Sequence, residues 1–326
     1  MTTHAEPVSS LTANPATITV DDLVSAVHGA LPHPGDGSTA ARWRALAAVA
    51  RADLPLAKLV EPHHDAAAIL RDLDGPPQAV GDVWGVWAAE PPFARLTADQ
   101  TGDGWFLSGR KAFCSGASLV THALATADAG RGSRLFAIDM RHHQVSADMS
   151  APAWSGHGMH RADTGTLLLE GVPATPVGQV GGYVSRAGFW HGAIGIAASW
   201  WGGAQGVADT LEGARERLDK HGLAHLGAVR ADLDNLGAVI AQSAAQIDEG
   251  EASDVADAER LALSTRSLAA DVVDRVIARV GRALGPGPLA FDQHHADHVA
   301  DLQVFVRQHH AERDLERLGA WVPSRV

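Results

Sequence analysis

The chain has 326 residues, of which 46% are hydrophobic and 20% are charged. These proportions exclude a largely disordered chain, and the length suits two or three domains. The net charge of −12 disfavours nonspecific binding to nucleic acid. The single cysteine, Cys114, excludes an internal disulfide and fits a reducing cytoplasm. Residues 1–16 lack a signal-peptide pattern, and the longest apolar run, Ala193–Trp201, is too short for a membrane span.

The first part of the chain predicts helices. Asp21 or Asp22 can cap a first helix, and Ser38 can cap a second that runs to Ala52. Pro55 opens another helix, and residues 66–73 predict a further one. The Gly-Pro-Pro run that follows ends this region.

Residues 80–180 change to short apolar runs of strand length, broken by Gly, Asp and Pro. Thr101–Gly104 has the composition of a hairpin turn between two of these runs. Because no helical run intervenes, the pattern predicts an antiparallel β domain. The remainder is helical again, with long helices predicted at about 188–219, 225–249, 254–283 and 294–319.

Four long helices joined by short loops favour a bundle. The order therefore predicts three domains: a shortened N-terminal helical domain (1–79), a central β domain (80–185) and a C-terminal four-helix bundle (186–326).

Several segments resemble the acyl-CoA dehydrogenase family. GDGWFLSGRKAFCSGASLVTHALATA (Gly102–Ala127) is similar to the middle-domain signature, and WAAEPP (Trp87–Pro92) to the strand before it. VADLQVFVRQHHAERDLERLG (Val299–Gly319) resembles the last helix of short bacterial members. The resemblance spans roughly residues 42–319 and implies an α+β fold of N-terminal helices, central antiparallel β domain and C-terminal bundle.

The resemblance also implies FAD as the cofactor. Phe113 and Ser115 match the family's aromatic and hydroxyl residues that line the flavin, and Trp87 and Glu90 belong to the preceding flavin-facing strand. A flavin ring needs a flat apolar wall and hydrogen bonds along its polar edge. The alternative is structural: a buried strand aromatic and a turn serine.

A glycine-rich loop, Gly281–Pro288, occupies the place of the family's loop for the flavin diphosphate of a neighbouring subunit. Arg282 and Gly285 are its candidate cofactor residues, because glycine permits close backbone approach and arginine adds charge-assisted contacts. A simple interhelix turn is an equal alternative. The family's assembly through the bundle implies a homodimer or homotetramer.

The catalytic base is less evident. The family's Tyr-Glu-Gly-Thr-like motif is absent, and counting eight residues from Asp301 reaches His309. Asp219 lies near a second family position for the base. The alternative for His309 is a partly exposed residue of an amphipathic helix. His294 and His298 have a chelating spacing but no third ligand, so no metal is predicted.

Three functions follow. The first is FAD-dependent α,β-oxidation of an acyl-CoA or related thioester, with a flavoprotein or oxygen as electron acceptor. The second is a flavin-dependent monooxygenase or oxidase of the same superfamily, because a histidine near position 309 resembles the oxygen-using branch. The third is a catalytically silent homologue that acts as a partner subunit.

Overall fold

The computed structural model describes residues 17–321, so the absence of a signal peptide, expected for residues 1–16, lies outside the described part. The chain begins with three helices: α1 (Val20–Ala26), α2 (Thr39–Ala52) and α3 (Leu54–Asp72). Thr19 and Asp22 cap α1 reciprocally. Ser38 occupies the cap position of α2 without a side-chain bond. Asp53 caps α3 by accepting from the backbone N–H of Leu56 at 3.0 Å.

Helix α3 is continuous, whereas the sequence predicted two separate helices there. Pro62 lies within it and is buried. Proline lacks the N–H that would bond the carbonyl of Lys58 four residues earlier, yet the helix continues through it. The buried apolar residues on both sides of Pro62 outweigh this local cost, because their packing holds the helix against the rest of the molecule.

The middle of the chain forms seven strands, β1 (Trp84–Trp87), β2 (Leu96–Thr101), β3 (Gly104–Cys114), β4 (His122–Asp128), β5 (Ser133–Asp139), β6 (Val145–Ala147) and β7 (Gly165–Val177). Six of them follow the order β1-β4-β2-β3-β7-β5, and β6 pairs with β7 beside this path. A further pairing of β4 with β5 closes the sheet on itself. Thr101 pairs with Gly104, as the predicted hairpin turn requires. Strand β1 runs parallel to β4, so the sheet is mixed rather than wholly antiparallel as expected.

The C-terminal part is helical, with α4 (Ala187–Gly213), α5 (Lys220–Asp248), α6 (Val255–Leu284), α7 (Gly287–Phe291), α8 (Gln293–Phe305) and α9 (Glu312–Ala320). Helix α4 is central and packs on α2, α5, α6 and α8. A β-carbon at Gly202 of α4 would lie 2.0 Å from the carbonyl oxygen of Ala47, so glycine is needed where α4 meets α2. Within residues 17–321, no helix has the length and hydropathy to cross a membrane.

The helix predicted at about 294–319 is broken in the structure. A 3₁₀ turn at Val306–Gln308 follows α8, and the backbone is extended at His309. Ala311 has φ +48°, a left-handed conformation that a helix cannot contain. The break separates α8 from α9 and brings two consecutive histidines, His309 and His310, into an irregular loop.

Candidate active site

A cleft of about 610 Å³, here called the front chamber, lies where β1 and β3 meet α4 and the end of α8. Its walls are largely aromatic and apolar. They include Trp87, Phe113, Trp154, Met159, Ile196 and Phe305. Ser115, Thr164 and His310 add polar groups. The chamber therefore combines flat apolar surface with a few convergent hydrogen-bonding groups, as small-molecule sites do.

Phe113 faces this chamber because β3 bulges. The register of β3 against β7 shifts between Lys111 and Cys114. Phe113 adopts φ +58°, and its side chain is 51% exposed although it is large and apolar. Such a conformation is costly for a non-glycine residue and clusters at functional sites. Cys114 is fully buried, and burial raises the pKa of its thiol to about 12, so it is an inert core residue.

Hydrogen bonds between neighbouring residues fix the positions of polar groups in the front chamber. The indole N–H of Trp87 donates to the Ser115 carbonyl at 3.0 Å. The hydroxyls of Ser115 and Thr164 lie 2.9 Å apart and share one hydrogen bond. Together the two hydroxyls keep a donor and acceptor sites free for a ligand. No aspartate or glutamate lies among the residues that line this chamber.

A second cavity of about 690 Å³, the rear chamber, adjoins the first. Lys58, Val86, Ile196, Gln308 and His310 line both chambers, and we call this shared wall the junction. Beyond it the rear chamber carries aromatic surface from Tyr183, Phe189 and Trp190. It also carries charged residues, which the front chamber lacks beyond Lys58 and Arg307.

Helix α3 presents Lys58, Glu61 and Asp65 to the rear chamber on one face. Glu61 is only 7% exposed, and its carboxyl has no hydrogen-bond partner among the described residues. Burial raises its pKa to about 8, and the charge of Asp65 adds to this, while Lys58, Arg42 and Arg266 oppose it. Burial likewise raises the pKa of Asp65.

Arg266 of α6 is buried opposite α3 and organises the loop after α8. Its guanidinium donates to the carbonyls of Ala193 at 2.8 Å and Gln308 at 3.0 Å. It also stacks on Trp200, 4.6 Å from the ring centroid. Burial lowers its pKa to about 10. Arg266 thereby ties α4 to the start of the loop that carries the two histidines.

The two consecutive histidines have different surroundings. His309, the predicted base, turns toward α6, where Nε2 lies 3.1 Å from the Ser267 hydroxyl and 3.7 Å from an Asp314 oxygen. Burial lowers its pKa, and it lines neither chamber. His310 lines both chambers and places Nδ1 3.4 Å from Asp314. The geometry favours His310 as the imidazole that faces a ligand.

Of the other predicted residues, three lie together and two lie elsewhere. Trp87, Phe113 and Ser115 come together in the front chamber. Glu90 instead accepts from the Ser133 hydroxyl at 2.7 Å in a separate groove near Lys111. Asp219 caps α5 through backbone bonds to His221 and Gly222, at the surface.

Arg282 and Gly285, the candidate diphosphate residues, lie at the C-terminal end of α6 and line neither chamber of this chain. Their expected role belongs to a site in a neighbouring subunit and stays a prediction. The sequence reasoning missed Lys58, Glu61, Asp65 and His310. A signal existed for the first three, because they are charged residues at helical spacing in a helix that is largely apolar up to Leu70.

No metal centre is present in the described range 17–321, since no three histidine, cysteine, aspartate or glutamate side chains converge there. The rings of His294 and His298 stack with centroids 5.8 Å apart. His298 bonds the Gly203 carbonyl at 3.0 Å and is buried, which assigns it to packing between α8 and α4.

We compared the sequence and the fold with those of known proteins. No family model and no curated protein matches the sequence. Among solved structures, the chain is similar to butyryl-CoA dehydrogenase from Megasphaera elsdenii, with a TM-score of 0.77, 16% identity, and coverage of 92% of this chain and 88% of that one.

Two other similar structures contain FMN. One is TdsC from Paenibacillus sp. A11-2, a dibenzothiophene monooxygenase, solved with FMN and indole (TM-score 0.74, 20% identity, 87% and 83% coverage). The other is KijD3 with FMN and a dTDP-linked amino keto sugar (TM-score 0.73, 17% identity, 94% and 90% coverage). The resemblance expected from the sequence is confirmed for the architecture: the chain has the acyl-CoA dehydrogenase fold.

Proposed function

We propose that the chain is a flavin-dependent oxidoreductase that acts as a monooxygenase, with the flavin ring in the front chamber and the substrate in the rear chamber. The observation that carries this proposal is the exposed Phe113 ring, held at positive φ on the wall of a cleft that also offers the Ser115 and Thr164 hydroxyls. These groups fit an isoalloxazine ring, which requires an apolar face and hydrogen-bonding atoms at its edge. The FMN in two similar structures supports the same class of cofactor.

The choice of a monooxygenase depends on the residues around the junction. A bound reduced flavin supplies electrons to oxygen. The front chamber, where the flavin ring would lie, contributes His310 and the two hydroxyls as the groups that can exchange protons there. His310 can donate or accept a proton at an imidazole nitrogen. Oxygen and the substrate would meet at the junction.

One observation favours α,β-dehydrogenation as the second candidate. Glu61 projects into the rear chamber one turn beyond Lys58, and its raised pKa suits a general base. In that case Glu61 would remove the α proton of an acyl thioester while the flavin accepts hydride. The base would then come from α3, whereas the sequence led us to seek it at His309 or Asp219.

The first experiment is the visible absorption spectrum of the purified chain before and after addition of FMN or FAD and desalting. Retained flavin bands are the expected result. A colourless chain that takes up neither flavin would contradict the proposal and leave a catalytically silent partner subunit as the remaining reading.

The second experiment separates the two reactions. The protein with bound reduced flavin is mixed with oxygen in a stopped-flow instrument, and a parallel anaerobic sample of oxidised flavin is mixed with a series of acyl-CoA thioesters. A monooxygenase predicts oxygen-dependent reoxidation in more than one absorbance phase and no anaerobic bleaching. Anaerobic bleaching by an acyl-CoA, abolished by Glu61→Gln, would replace the monooxygenase with the dehydrogenase.

A further inference from the structure

Two of the four carboxylates that line the rear chamber, Glu61 and Asp65, make no hydrogen bond or ion pair with the described residues, whereas Asp314 and Glu259 are paired. Arg266 bonds two carbonyls and stacks on Trp200, and Arg317 is paired with Glu259. The Lys58 ammonium lies 5.5 Å from the centre of the Phe305 ring. Glu61 has no hydrogen bond although more than nine-tenths of its side chain is buried. A largely buried carboxyl group that bonds no other side chain needs a partner from outside the chain, which a water, an ion or a ligand can supply.

Glu61 and Asp65 are four residues apart on α3, so their side chains are neighbours on one face of the helix. Asp65 also has no hydrogen bond with the described residues. Its carboxyl group occupies space that a glycine of α4 leaves open. A β-carbon at Gly192 would lie 2.8 Å from the Asp65 Oδ1 atom. The two carboxyl groups therefore share one end of the rear chamber, beside the aromatic rings of Phe189 and Trp190.

From this arrangement we propose that the rear chamber binds a substrate with a protonated amine, whose ammonium lies between Glu61 and Asp65 and whose apolar body packs on Phe189 and Trp190. An ammonium has three donors, enough for both carboxylates. A buried charge is tolerated when it is paired and hydrogen-bonded. The attraction between the ammonium and the carboxylates would therefore offset the cost of removing both from water. Naming this ligand a substrate rests on the proposed function, while its binding does not.

The spacing along α3 also fixes where such a substrate is oxidised. Lys58 marks the junction, and Asp65 lies seven residues further along the same helix. At 1.5 Å per residue, the carboxylates lie about 5 to 10 Å from the junction. The amine is thus the recognition group, and the atom oxidised is about that distance away, on the far side of the apolar body.

The test uses three small probes of similar size: 2-phenylethylamine, 2-phenylethanol and 3-phenylpropanoate. Their binding to the full chain is measured by calorimetry, without flavin and again with FMN or FAD. The amine is expected to bind at least about tenfold more tightly than the alcohol, a difference of about 1.4 kcal/mol. Glu61→Gln and Asp65→Asn are each expected to lower amine affinity about tenfold or more, because each removes one charge-assisted bond.

Glu170→Gln, a change of the same chemistry at an exposed position of β7, is the matched control and leaves amine binding unchanged. Tighter binding of the phenylpropanoate, equal binding in Glu61→Gln, or no saturable binding of the amine would each overturn the inference. So would Mn²⁺ binding that needs Glu61 and that the amine does not displace. A chain that binds the amine but takes up no flavin contradicts the proposed function alone.

Discussion

At the scale of single residues, the central feature is a carboxyl group buried without a bond. Glu61 is protonated in the folded chain over a pH range in which the unfolded chain ionises it, because its pKa rises from 4.5 to about 8. The groups that face it are Lys58 and Asp65 on its own helix, Arg42 on α2 and Arg266 on α6. The cations oppose the shift without cancelling it, so Glu61 lowers stability near neutral pH.

This predicts a pH-dependent effect of Glu61→Gln on stability. The folded wild type binds the extra proton, so the contribution of Glu61 to the free energy of unfolding falls as pH rises from about 4.5 to about 8. Glutamine has no such proton, and the variant is therefore expected to gain stability over the wild type across that window. Urea unfolding at pH 5, 6.5 and 8 measures the difference. The same difference in free energy of unfolding between variant and wild type at all three pH values would contradict the raised pKa.

His309 and His310 provide a second prediction, because one packs on α6 and the other faces the chambers. His310→Ala is expected to lower oxygen-dependent turnover about 100-fold with little change in melting temperature. His309→Ala is expected to lower the melting temperature, since the ring bonds Ser267 near Asp314. Turnover at saturating substrate and thermal unfolding distinguish the two. A larger loss of turnover in His309→Ala would restore His309 as the catalytic residue.

At the scale of elements, sequence periodicity predicted the helical and strand regions, but it missed a local break in a helix and the direction of one strand. The helical regions and the strand region were correct because amphipathic spacing repeats over many residues. The break before α9 was missed, because nothing local requires Ala311 to adopt positive φ. The parallel pairing of β1 with β4 was also missed, since strand direction is set by distant parts of the chain.

Helix α4 gives the prediction that belongs to this scale. Gly202→Ala would force a β-carbon against the carbonyl of Ala47, which is backbone and cannot rotate away. We expect destabilisation of about 1 to 3 kcal/mol from overpacking between α2 and α4. Gly213→Ala, at an open position of the same helix, is the control and is expected to be neutral or slightly stabilising. Equal melting temperatures for the two variants would show that α2 moves away at little cost.

At the scale of the whole molecule, the candidate site is assembled from parts of the chain that are far apart in the sequence. Helix α3, strands β1 and β3, helix α4 and the loop after α8 each supply residues to the two chambers. The front chamber could be predicted in part, because Trp87, Phe113 and Ser115 belong to a segment that resembles a family signature. The rear chamber could not, since its composition depends on which face of α3 meets α4 and α6.

The last prediction concerns the expected assembly between copies of the chain. Arg282 lines neither chamber of its own chain, and the family resemblance implies a contact with the flavin diphosphate of a neighbouring subunit. Arg282→Ala is expected to weaken FAD binding about tenfold and to leave FMN binding nearly unchanged, because a diphosphate extends further from the ring than a monophosphate. Flavin titration with light scattering for mass tests this. Unchanged FAD affinity would assign the loop at Gly281–Pro288 to a simple turn.

The left-handed backbone of Phe113 implies a conflict between selection for stability and selection for activity. Glycine adopts φ +58° without the steric cost that Phe113 bears, so Phe113→Gly relieves this local strain. The same change removes the ring that forms the wall of the front chamber. Selection for stability alone at this position would therefore act against the proposed flavin site, which depends on that ring.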